Sequence, residues 1–148
     1  MQAPMIRSVA MRPMRVLLMS MLLLALTACA SSGPSLSALE KAQYAYSAAI
    51  RWGDIDGAWA QVEPAYKQAH PLTSIERARY AQVQVTGYRP VDSQALGEGE
   101  SLRVIEIGVV NRNTMAERSM RYHERWRYDA AAKTWYVTSG LPDFWAGQ

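Results

Sequence analysis

The chain has 148 residues, 49% hydrophobic and 20% charged, which suits one globular domain and is too short for two sizeable ones. Its formal charge of +3 arises within residues 1–28, where Arg7, Arg12 and Arg15 stand without any acid; the 13 basic residues beyond them equal the 13 acids. Everything past the leader is formally neutral, so the main support for a nucleic-acid partner is lost.

One cysteine excludes an intramolecular disulfide, and two histidines, His70 and His123, are too few for a Cys/His metal cluster. No metal and no cofactor is expected, because the chain also lacks a phosphate-cradling glycine loop, a Ser/His/Asp order and a paired-histidine motif.

The three leading arginines run into an uncharged stretch from Val16 to Leu26, followed by small residues up to Cys29. That is the order of a secretory signal, and the apolar run is too short to span a bilayer permanently. Leu26-Thr27-Ala28-Cys29 resembles the lipobox read by prolipoprotein diacylglyceryl transferase and the lipoprotein signal peptidase. The resemblance implies cleavage before Cys29 and acylation of its thiol, the nucleophile such chemistry needs. Two or three acyl chains, palmitate among them, would hold the protein stably on a membrane. In enterobacterial lipoproteins an Asp after the cysteine signals inner-membrane retention; Ala30-Ser31-Ser32 resembles the outer-membrane pattern instead. The expected organisation is a signal peptide over 1–28, a lipidated tether over 29–36 rich in Ser, Gly and Pro, and one domain over 37–148 facing the periplasm.

Ser37 with Glu40 three residues later has the spacing of a capping box, and Leu39, Ala42, Tyr46, Ala49 and Ile50 recur at helical spacing, predicting a helix over about 38–51. Asp54 is placed to cap a second helix with Ile55, Ala58, Trp59 and Val62 on one face, until Pro64 forces a restart that Tyr66 continues. Thr73 and Glu76 form another capping box for a short helical turn.

From about Arg79 the period becomes two, with Ala81, Val83 and Val85 set against polar neighbours. The acidic, glycine-containing stretch from Asp92 to Glu100 reads as a solvated connection into a buried strand from Leu102 to Val110. A third strand alternates Met120, Tyr122, Trp126 and Tyr128 with Arg121, His123, Arg125 and Arg127, and a turn at 129–133 returns the chain through Trp135 to Thr138 as a hairpin. The tail from Leu141 to Trp145 is expected to fold back as an aromatic plug.

Helices followed by about four antiparallel strands predict an α+β fold, N-terminal helices packed on a curved sheet. This order, with Arg-Trp-Gly-Asp at 51–54 and Lys-Thr-Trp-Tyr-Val at 133–137, resembles the cystatin-like, NTF2-like superfamily over about residues 37–140. The resemblance implies a cone of sheet wrapped around helices, a fold that hosts isomerases, dehydratases, transport factors and envelope lipoproteins alike.

Strand parity places Glu124 on the same face as Tyr122 and Trp126, toward the helices. A carboxylate there is either a structural ion pair, with Arg103 or Arg121 as counter-charge, or an acid/base in a pocket. Glu106 raises the same question. His123 has the opposite parity and cannot pair locally with Glu124, and His70 beside Pro71 reads as a loop residue. Arg121, Arg125 and Arg127 with His123 form a basic stripe, read first as a solvated face. Trp52, Trp59, Trp126, Trp135 and Tyr46 are placed to fill the core, and Tyr122, Trp126 and Trp59 would line an apolar ligand pocket if the cone were incompletely filled.

The expectation is a non-enzymatic binding or assembly module, tethered to the membrane through lipid on Cys29, with an envelope protein or a small apolar ligand as partner. The alternative is a small isomerase, dehydratase or hydrolase using Glu124 as acid or base.

Overall fold

The computed structural model describes residues 36–145. The expected signal peptide, the lipobox, Cys29 and nearly all of the tether lie outside these residues. The described chain runs α1 (Leu36–Trp52), α2 (Ile55–Ala60), α3 (Pro64–Ala69), α4 (Ser74–Tyr80), then β1 (Val83–Gly97), β2 (Glu100–Asn111), β3 (Glu117–Asp129) and β4 (Thr134–Val137). The strands form one antiparallel sheet in sequence order, not closed into a barrel, with helices packed against it. The fold is α+β, as the order of periodicities predicts.

Each helix begins and ends where its residues require. α1 already includes Leu36 and Ser37, so Ser37 is inside the helix and is not its cap. The helix stops at Gly53, whose φ of +72° suits a residue without Cβ, and the bonds Gly53 N to Ile50 O and Asp54 N to Ala49 O close a Schellman motif. Asp54 then caps α2 by accepting from Gly57 N at 2.9 Å. Pro64 takes the first position of α3, where no amide hydrogen is needed. Thr73 and Glu76 exchange both bonds of a capping box at the start of α4.

The buried stripe of α1 is Leu39, Gln43, Tyr46 and Ile50. Trp52 lies two residues past Ile50, about 200° around the helix at 100° per residue, and so leaves the buried stripe for an open cleft beside the start of β1. It is 85% exposed, which corrects its expected place in the core. Trp59 is half-buried and packs edge-on against Tyr66, while Trp126, Trp135 and Tyr46 are buried.

β1 departs most from expectation. It starts only at Val83, because Arg79 and Tyr80 still belong to α4, and it continues to Gly97, so that the supposed connection at 92–97 is strand. Breaks in register fall between Val85 and Gly87, between Pro90 and Asp92, and between Ala95 and Gly97. Each inserts one residue and reverses which numbers point inward. Opposite Val109, Ile107, Ile105, Arg103 and Ser101 on β2 therefore stand Val85, Tyr88, Pro90, Ser93 and Ala95. The bulges bend the strand, and Pro90 is tolerated because β1 is an edge.

The other edge is covered. Glu63 N donates to Val137 O at 2.9 Å and Val137 N to Gln61 O at 3.0 Å, so the α2–α3 connector pairs with β4 as a short parallel bridge at Val62. The tail closes the helical end as expected: Phe144 is buried against Tyr80, Tyr80 Oη donates to Pro142 O at 3.0 Å, and Arg79 lies over the Trp145 ring at 4.4 Å.

Candidate functional site

β3 carries Tyr122, Glu124 and Trp126 inward, and the β2–β3 register sets Arg103 directly opposite Glu124. Glu124 is 0% exposed. Its Oε1 accepts from Arg103 Nε at 2.9 Å, Arg103 Nη2 at 2.5 Å and Trp126 Nε1 at 2.5 Å, and its Oε2 accepts from the Tyr88 hydroxyl. Three strands thus converge on one carboxylate. Every donor is protein, and no solvent reaches the group. A general acid or base must contact its substrate, whereas the contacts this carboxylate makes here are all to protein, joining Tyr88, Arg103 and Trp126.

A second network lies beside the first. The Tyr122 hydroxyl donates to Gly140 O at 2.5 Å and stands 2.9 Å from Ser139 Oγ and 3.2 Å from the Tyr46 hydroxyl, which also reaches Gly140 O at 3.0 Å. Tyr46 meets the Trp126 ring edge-on at 5.7 Å, joining the two networks. Burial is the main cause that raises the ionisation of Tyr46, Tyr88 and Tyr122 above the usual tyrosine range; Tyr122 adds to it for Tyr46, and the Glu124 charge for Tyr88.

The space between α1 and the sheet near Glu124 is therefore filled. Of the residues expected to line a ligand pocket, Tyr122 and Trp126 are core residues whose polar atoms are occupied by protein, and Trp59 packs on Tyr66. Glu106 faces outward and pairs with Arg89 at 3.0 Å. His123 is exposed on the outer face with Arg121, Arg125 and Arg127, and Arg127 is bound by Glu63. His70 ends α3 and lies against Tyr66.

The open space is elsewhere. A cleft of about 520 Å³ separates the first half of α1 from the projecting end of the β1–β2 hairpin. Leu36, Leu39, Ala95 and the Trp135 ring give it apolar walls, Gln43 and Ser101 are polar groups within it, and Glu40, Glu98 and Glu100 stand around it. Its volume is that of small-ligand sites.

Two groups in its wall have no partner. The Gln43 side chain is 8% exposed and makes no hydrogen bond among the described residues. Trp135, 7% exposed, has a buried Nε1 with no acceptor. A buried N–H without an acceptor, as at Trp135, is rare in folded proteins and costs about 1–3 kcal/mol. Gln43 interrupts an otherwise apolar stripe at helical spacing, and that interruption was the signal in the sequence that could have located this cleft.

Among the described residues, no group of three or more His, Cys, Asp or Glu side chains could hold a metal ion, and no helix is long and apolar enough to cross a membrane. No protein-family model matches the chain, and no curated protein matches it.

Removing Glu124 strands Arg103 in a nearly dry site. Glu124→Ala is expected to cost about 3–5 kcal/mol in urea unfolding. Arg103→Met added to it removes the stranded cation, so the double variant is expected to be more stable than Glu124→Ala alone; a double variant less stable than that single one would contradict the pairing.

The raised tyrosines give a pH dependence of known sign. Their neutral forms are favoured in the folded state, so their stabilisation is complete below about pH 10, the unfolded value, and is lost as pH rises above it. Tyrosinate absorbance and circular dichroism followed together are expected to show these groups ionising only as the fold is lost. Their smooth ionisation in an intact fold would contradict this.

Proposed function

We propose that this protein is an envelope lipoprotein, exported by residues 1–28, acylated on Cys29 and anchored in the outer membrane with its domain in the periplasm. The domain is a binding module rather than an enzyme, of the NTF2-like kind. The observation that supports binding over acid–base chemistry is the division of the polar groups: Glu124 is fully engaged by protein, while Gln43 and Trp135 at the cleft are not.

Anchoring also gives the cleft an address. The seven residue steps from Cys29 to Leu36, fully extended, reach at most about 25 Å. With Cys29 in the bilayer, Leu36, which lines the cleft, stays within that distance of the surface.

Palmitate labelling and envelope fractionation test this reading. The wild-type chain is expected to take up label and sediment with the outer membrane, and Cys29→Ser to take up none. An unlabelled wild-type protein would overturn the lipoprotein reading, and a labelled one in the inner-membrane fraction would overturn the proposed location.

A further inference from the structure

We infer that the cleft between α1 and the β1–β2 hairpin binds a small cationic amide: a short peptide or similar molecule with an apolar side chain, an amide group and a positive charge. This deepens the binding reading above and rests on it.

Three features of the cleft specify three features of the ligand. The Gln43 side chain, on the cleft wall and without a hydrogen bond among the described residues, offers both a donor and an acceptor, the pattern a peptide group complements. Leu36, Leu39 and Ala95 provide the surface for an aliphatic group.

The charge follows from the surrounding acids. Glu40 and Glu98 have no ion-pair partner among the described residues, and Glu100 lies near enough to Arg127 to favour that residue's charged form. Arg127 is itself bound by Glu63, and Arg103 by Glu124, so the nearby cations are already committed. An anionic ligand would meet repulsion here, and a cationic one would offset it.

In the free protein, the Gln43 amide lies on the cleft wall and bonds to nothing else among the described residues. Replacing it by an apolar group should leave stability unchanged while weakening ligand binding. A purely structural role for Gln43 predicts the reverse.

The test uses the full-length chain in phosphatidylcholine nanodiscs, titrated with acetyl-leucyl-leucyl-lysinamide and with its glutamyl counterpart. The readout is the indole N–H resonance of Trp135, assigned by its loss in Trp135→Phe. The resonance is expected to shift saturably with the lysyl peptide and at least about tenfold more weakly with the glutamyl one. Gln43→Leu is expected to weaken lysyl-peptide binding about tenfold with no loss of thermal stability, and Glu98→Gln to narrow the preference between the peptides.

No saturable shift with the lysyl peptide, or equal affinity for both peptides, would overturn the proposal. So would a Gln43→Leu variant that binds the lysyl peptide as tightly as wild type. Failure of the lipoprotein reading is seen separately, since Cys29→Ser leaves the cleft intact and is expected to bind the lysyl peptide as wild type does.

Discussion

A single buried carboxylate sets the phase of three strands. Glu124 cannot be left unpaired at 0% exposure, because an uncompensated charge there would consume much of a small domain's stability. Its partners come from β1, β2 and β3, so the requirement fixes how these strands align. A one-residue slip of β3 against β2 would turn Glu124 outward and bring His123 or Arg125 opposite Arg103, leaving its charge uncompensated. Tyr88 reaches the carboxylate only because the first bulge of β1 reverses its inward parity, so the bulge and the ion pair belong to one arrangement. The cluster specifies register more than it adds net stability, since well-packed apolar residues could fill the same space.

With the interior around Glu124 filled, the largest of the open clefts described lies toward the hairpin end, and smaller ones of about 370 and 300 Å³ lie where Arg51 and Trp52 meet the start of β1. Beyond Tyr88, β1 is exposed along its length, and its end with that of β2 projects past the region packed against α1. Ser93 and Ala95 face the first half of α1 across a gap rather than a packed contact. Gln43 and Trp135 line that gap, and neither side chain has a hydrogen-bond partner among the described residues.

Local signals were readable in the sequence where one residue type has one physical use. Asp54, Pro64 and the Thr73–Glu76 pair mark helix starts because orphan amides need acceptors and proline needs a first-turn position. β3 was legible because one face is buried and the other wet without interruption, and the inward parity of Glu124 and its counter-charge Arg103 follow from the same regularity. β1 was not legible beyond Val85, because each bulge resets a pattern that periodicity assumes to be continuous. Tyr88 was missed for that reason. Trp52 was misplaced because size and apolarity suggest burial, whereas its angular position on α1 decides against it. The cleft escaped notice because it depends on the angle between a helix and a bent strand, a quantity that no local pattern encodes; only Gln43, polar within an apolar stripe, hinted at it.

Hydrogen exchange at the Trp126 indole tests most directly whether the interior around Glu124 is closed. That N–H donates to Glu124 from a residue 1% exposed. If the cluster is sealed, this proton exchanges only when the whole domain unfolds, and its protection free energy equals the stability measured by urea denaturation. Exchange faster than global unfolding by about tenfold or more would mean that water reaches the carboxylate in the folded protein. The division between a closed scaffold and an open cleft would then fail.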